Sequence, residues 1–195
     1  MAQVIECVPN FSEGRDRAVI DQIAGEVESV KGVTVLGVDP GQATNRTVVT
    51  FVGGPDEVLE AAVCCLRKAT ELIDMRLHHG KHPRFGATDV CPLVPVAGIS
   101  MQETVEYARL LARRLGEGIG LSIYCYGNAA FSDERRNLSV LRAGEYEGLK
   151  EKLSRAEWKP DFGPADFNPK SGVTAVGTRD ILVAYNVNLN TTSIR

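Results

Sequence analysis

The sequence has 195 residues, 44% of them hydrophobic and 24% charged, with a formal net charge of −3. That length and balance suit one ordinary globular domain, or one domain and the start of another, and exclude disordered and collagen-like chains. No basic run or zinc-finger spacing points to nucleic acid, no apolar stretch reaches membrane-spanning length, and the N-terminus lacks a signal-peptide pattern. We therefore expect a cytoplasmic protein that binds neither nucleic acid nor membrane. Cys7, Cys64, Cys65, Cys91 and Cys125 are scattered and form no CxxC motif, so they read as reduced, mostly buried thiols.

In chain order, residues 4–8 form a short apolar run closed by Pro9 and Asn10, a strand. Val19, Ile20, Ile23, Val27 and Val30 recur at helical spacing and Gly32 stops them. Residues 33–38 are a β-branched strand ending at Asp39-Pro40-Gly41, and 47–52 are the next strand. Pro55, Asp56 and Glu57 open a helix with proline in its first turn and acids against its dipole. Its stripe runs from Val58 to Ile73. Residues 74–89 break the pattern. Residues 90–96 are apolar but interrupted by proline, which predicts an irregular or edge strand. Ser100 and Glu103 form a capping box for a helix carrying Val105, Ala108, Leu111 and Leu115. A strand over 121–126, a short helix over 145–152, a long ordered loop over 161–172 and strands over 173–176 and 181–189 complete the reading. The alternation predicts an α/β fold, a mixed β-sheet with helices packed on it.

The chemistry concentrates in that long break. All three histidines lie in His78-His79-Gly80-Lys81-His82, followed by Pro83 and Arg84. A histidine in a loop at a strand end suits general acid–base work, because its pKa lies near the working pH. The plain alternative is a group of surface histidines. A metal site is a third reading: His78 and His82 stand four apart and Asp89 would be a further ligand, though Gly80 and Pro83 disfavour the helix that spacing needs. Asp39 suits either a Pro-Gly turn or a crevice at the strand ends, which Asn10, Asn45 and Arg46 also border. Phe162, Phe167 and the glycines and prolines around them form either a wall that stacks a flat heterocycle or a linker with apolar anchors. Gly53-Gly54 before a helix lacks the spacing of a phosphate loop.

Several stretches occur together in order: Val8-Pro9-Asn10-Phe11-Ser12-Glu13-Gly14, Thr44-Asn45-Arg46-Thr47, His79-Gly80-Lys81-His82-Pro83-Arg84 with Asp89-Val90-Cys91-Pro92, Leu141-Arg142-Ala143-Gly144-Glu145-Tyr146-Glu147, and Trp158-Lys159-Pro160-Asp161-Phe162-Gly163-Pro164. Through them the chain resembles the formiminotransferase domain over essentially its whole length. The resemblance implies transfer of the formimino group of N-formimino-L-glutamate to N5 of tetrahydrofolate, a step of histidine breakdown. It implies two α/β subdomains with folate in the groove between them, and a homodimer. It implies His82 as the catalytic histidine, with Asp39 and Arg84 as polar partners. Asp39 would stabilise the cationic formimino group or orient His82, and Arg84 would hold a substrate carboxylate. It further implies that Gly163, Pro164, Ala165, Asp166, Phe167, Asn168, Pro169, Lys170, Ser171 and Gly172 contact tetrahydrofolate, which is a co-substrate; no metal is implied.

The expected organisation is an N-terminal subdomain over 1–179, followed at 180–195 by a linker and the first strand of a truncated second subdomain. A non-catalytic folate-binding or regulatory fragment of the same fold is the alternative to a transferase, and a metal-dependent hydrolase stands behind both.

Overall fold

The computed structural model describes residues 2–182. Seven strands form one mixed sheet: β1 (Val4–Cys7), β2 (Asn10–Phe11), β3 (Val33–Gly41), β4 (Arg46–Gly53), β5 (Thr88–Ala97), β6 (Ser122–Gly127) and β7 (Val173–Thr178). β1 and β2 are one strand broken at Val8-Pro9, and both lie antiparallel between β4 and β5. β3 adds to the far side of β4, while β7 runs parallel to both β5 and β6. The α/β expectation holds.

Three helices cover one face: α1 (Arg17–Glu28), α2 (Pro55–Leu72) and α3 (Met101–Arg113). Asp16 caps α1, and the Ser100–Glu103 capping box that the sequence predicts starts α3. α2 buries Val58, Leu59, Ala62, Leu66 and Ala69 against Ile5, Cys7, Phe51, Cys91 and Leu93 of the sheet. Each large side chain in that layer contributes about 1.5–3 kcal/mol of apolar burial. After α3 the chain passes through a π-helical turn over 114–119 that ends at Gly120 in the left-handed region.

Among the described residues the second face is covered over one half only. There α4 (Leu138–Arg142), α5 (Leu149–Leu153) and the loop after them enclose Phe85, Val90, Tyr124, Tyr126, Leu141, Leu149 and Val173. Towards β3 and β4 the cover ends: β4 alternates buried Thr47, Val49 and Phe51 with half-buried Val48, Thr50 and Val52, and Leu36 is 59% exposed.

Three local expectations are corrected. β5 is interior rather than an edge strand, while the irregular alternative holds, since its pairings with β1 and β2 both carry register shifts. Pro92 turns its carbonyl to the Val8 amide, 3.1 Å away at the break between β1 and β2, so its missing N–H falls where no regular ladder exists. Pro95 lies beyond the last β7 pairing, Leu93 with Thr178. β3 does not close before Asp39 but stays paired with β4 through Gly41. The short helix expected over 145–152 is split: Glu145 adopts a left-handed φ of 50° and α5 begins only at Leu149. The strand expected over 181–189 lies outside the described residues, save its first two.

Candidate functional site

The histidine loop is seated on the β3–β4 turn. Asn45, buried and left-handed at φ 50°, receives the Gly14 amide at 3.0 Å on its side-chain oxygen and gives its NH2 to the His79 carbonyl at 3.1 Å. Gly80 is required here, because a Cβ would collide with the Thr44 carbonyl. Nε2 of His78 lies 2.8 Å from the Asn45 carbonyl oxygen and so donates to it. Nδ1 of His78 then accepts from Arg84 Nε at 3.2 Å. Both ring nitrogens of His78 are therefore spent on the fold.

His82 is held differently. Its Nδ1 lies 2.7 Å from the Pro83 carbonyl oxygen and 3.2 Å from Nη1 of Arg46. A carbonyl only accepts, so the shorter contact places the proton on Nδ1. Nε2 then carries the lone pair, as a general base requires. Burial, and next the Arg46 guanidinium, push the His82 pKa below its ordinary value, which keeps the ring neutral.

Arg46 belongs to a buried charge cluster. On β2 and β5, Asn10 pairs with Val90 and Phe11 with Thr88, leaving Asp89 as the extra residue of a bulge. Bulges re-aim side chains in this way beside active sites. The Asp89 carboxylate is fully buried and binds Arg46 Nη1, both Nε and Nη2 of Arg142, and the Phe85 amide at 3.2 Å. Arg46 Nε donates to the Asn10 side chain at 3.0 Å. Burial is the largest influence on the Arg46 pKa and lowers it, against the pull of Asp89. Arg142 is the last residue of α4, whose C-terminal carbonyls are gathered by the buried Lys152 ammonium, at 3.1 Å from Val140, 2.6 Å from Leu141 and 3.2 Å from Ala143.

Arg84 lies two residues from His82 but faces elsewhere. Its Nη1 reaches Glu145 at 3.2 Å and Glu147 at 2.9 Å, and its Nη2 reaches Glu147 at 2.8 Å and the His78 carbonyl at 3.4 Å. With Nε on His78, all five of its N–H donors are engaged. Glu147 chiefly holds the Arg84 pKa above its ordinary value. These groups line a cavity of about 450 Å³ with His79, Gly80 and Gly144.

Asp39 is exposed on β3, opposite Val48, which is in turn opposite Asn10. It shares the half-covered sheet face with the Asn10–Arg46 pair but makes no hydrogen bond to it. The 163–172 loop is ordered and anchored at both ends. A Cβ on Gly163, at φ +83°, would strike the Leu121 carbonyl, and one on Gly172, at φ +63°, the Phe85 carbonyl. Asn168 closes the tip on the Lys170 and Ser171 amides, and Lys170 Nζ donates to the Glu71 carbonyl at 2.7 Å. Phe167 packs on Tyr146 with ring centroids 5.7 Å apart. Ala165, Asp166, Phe167 and Pro169 line a cavity of about 590 Å³ with Lys150, Leu153 and Ser154. That cavity does not include His82. The loop reaches the histidine region through Tyr146, whose amide donates to the Arg84 carbonyl at 2.9 Å.

Sequence reasoning names His82, Asp39, Arg84 and the 163–172 loop, and takes Asp89 only as a metal ligand. It did not assemble Asp89 with Arg46 and Arg142. The signals were that Arg46 borders the crevice at the strand ends and that Thr44-Asn45-Arg46 and Leu141-Arg142-Ala143 both stand among the matching stretches.

Residues 4–179 match the family described as "Formiminotransferase domain, N-terminal subdomain". The chain belongs to the formiminotransferase family. Among its relatives, the formimidoyltransferase-cyclodeaminase of Sus scrofa is 53% identical over 192 residues, which are 98% of this chain and 36% of that protein. The glutamate formimidoyltransferase of Streptococcus pyogenes serotype M1 is 47% identical over 194 residues, covering all of this chain and 65% of its own length. That of Thermoplasma acidophilum is 45% identical over 193 residues, 98% of this chain and 63% of its own. The formiminotransferase subdomain described here therefore spans about a third of the bifunctional relatives and just under two thirds of the shorter ones. No helix among the described residues is long and apolar enough to cross a membrane.

Proposed function

We propose that this chain supplies the catalytic histidine and the folate-contacting loop of a glutamate formimidoyltransferase, which moves the formimino group of N-formimino-L-glutamate to N5 of tetrahydrofolate. The observation that carries the reading is His82: a neutral ring, tied through Nδ1 to the Pro83 carbonyl, with no hydrogen bond among the described residues at Nε2, beside a buried cationic cluster.

N5 attacks the formimino carbon and forms the new C–N bond. His82 Nε2 takes the proton that N5 loses and returns it to the glutamate nitrogen as the old C–N bond breaks, so glutamate leaves as the amine. Such acid–base work is worth about 10²–10⁴-fold. Asp39, on the same sheet face, faces the cationic formimino group. The 163–172 loop takes the folate, with Phe167 offering an aromatic surface to the flat ring and Lys150 a cation nearby. The reading assigns no metal, because His78 spends both ring nitrogens on Asn45 and Arg84.

In this reading residues 1–179 form one wall of the groove and a unit beginning at 180–195 forms the other; the protein works in the cytoplasm as a homodimer. The half-covered face at β3 and β4, which carries Asp39, supports a second wall at this place. Because the chain spans only part of its relatives, a non-catalytic folate-binding piece of the same fold is the second reading. An assay with N-formimino-L-glutamate and tetrahydrofolate decides between them. Turnover that survives His82→Ala unchanged would remove His82 from the mechanism.

A further inference from the structure

Resting on that transferase reading, the geometry points to Arg142, with Arg46 beside it, as the group that holds a carboxylate of the formimino donor, a role that Arg84 is not free to take.

A guanidinium has five N–H groups. Arg84 has spent all of them on Glu145, Glu147 and His78. Arg142 grips Asp89 through Nε and Nη2 only, and no hydrogen bond among the described residues engages its Nη1. Arg46 uses Nε on Asn10 and Nη1 on Asp89, stands beside the protonated Nδ1 of His82 without donating to it, and has its Nη2 likewise unengaged among the described residues. Each of the two arginines therefore keeps a whole NH2 group for a ligand.

The two arginine clusters also differ in charge. Arg46 and Arg142 bring two positive charges to the single carboxylate of Asp89, so the cluster carries a net +1 beside a neutral His82. Arg84 stands between two carboxylates, and its cluster carries a net −1. The arginine side chains of the Asp89 cluster are 12% and 15% exposed, enough to be reached yet poorly solvated. A guanidinium in that setting gains from an added anion far more than an exposed one does. A dicarboxylate is thus drawn to the Asp89 side of His82 and repelled from the Glu145–Glu147 side.

Position completes the case. Arg46 Nη1 is 3.2 Å from His82 Nδ1, so a carboxylate held on the free ends of Arg46 and Arg142 lies within the length of a glutamate side chain of the base. Lys152 fixes the end of α4 and thereby aims Arg142.

The test is isothermal titration of the chain with N-formimino-L-glutamate, and separately with tetrahydrofolate, for wild type, Arg142→Met, Arg142→Lys and the exposed-charge control Arg17→Met. The expected result is that Arg142→Met weakens the donor about ten- to a hundredfold, the worth of a charge-assisted hydrogen bond. Tetrahydrofolate affinity should stay within about twofold, and Arg17→Met should match wild type in both titrations. If Arg142→Met does not fold, Arg142→Lys is read instead. It keeps the charge but loses the fork, and should weaken the donor by a smaller factor. Donor affinity within twofold of wild type in the folded variant would overturn the assignment. So would a wild-type chain that binds tetrahydrofolate but not the donor. A wild-type chain that binds neither would overturn this inference, while the turnover assay decides the transferase reading separately.

Discussion

Arg46 places one guanidinium nitrogen 3.2 Å from Nδ1 of His82 and binds the buried carboxylate of Asp89 through the same nitrogen. The imidazole and the cluster beside it are thus coupled, and a change at Arg46 should be read at His82.

Replacing Arg46 by Gln removes a positive charge next to the imidazole. Burial is the larger cause of the low His82 pKa, so its titration should move up but stay below about 6.5, the ordinary histidine value. The C2 proton of His82, followed by NMR against pH, measures it. A downward move would show that Arg46 does not act on the ring as a charge.

The same low pKa has a stability consequence. Below about 6.5 the unfolded chain takes up a proton at this position that the folded chain refuses, so stability from this group is intact above that pH and falls as pH drops towards the folded pKa. His78 shifts the same way, through burial first. Replacing both by Gln should flatten the loss seen in urea melts between pH 7 and 5. An unchanged slope would assign the acid sensitivity to other groups.

Asp89→Asn should cost about 3–5 kcal/mol, because it leaves two poorly solvated guanidinium groups without their anion. Asp39→Asn, at an exposed strand position, should change stability by less than about 0.5 kcal/mol. Denaturant unfolding of the two variants compares them directly, and equal costs would contradict the burial argument.

The 163–172 loop separates into anchors and surface. Gly163→Ala forces a Cβ onto the Leu121 carbonyl in a backbone conformation that L residues resist, and should cost about 2 kcal/mol or more of stability. Phe167→Ala removes a ring that lines the open cavity, and should weaken tetrahydrofolate more than it lowers the melting temperature. Equal loss of binding and stability in Phe167→Ala would make that ring structural.

Lys152→Met should loosen α4 by taking three hydrogen bonds from its last carbonyls, at a cost of about 1–3 kcal/mol. Hydrogen exchange over 138–143 should rise in that variant, and wild-type protection there would show that α4 holds without the ammonium.

Much of this protein is set by local sequence. The stripes of α1, α2 and α3, the Ser100–Glu103 box and the β-branched runs specify an α/β sheet because helix and strand periods are local properties. The ordered family stretches and the three histidines between α2 and β5 marked the loop where His82 sits. Tertiary structure decided the rest. β5 is interior despite Pro92 and Pro95 because the break at Val8-Pro9 lies where Pro92 has no N–H to give. Spacing made His78 and His82 equals; the Asn45 carbonyl, 33 residues away, and the turn of Arg84 back onto His78 made one a structural tie, while His82 is held only through its Nδ1 side. The same holds for the arginines. Arg84 lies two residues from His82 yet spends its donors on Glu145 and Glu147, while Arg46 and Arg142, from β4 and α4, meet on Asp89 beside the ring. Which charge a guanidinium faces depends on what the fold brings within 3–4 Å, and no periodicity in one segment carries that information.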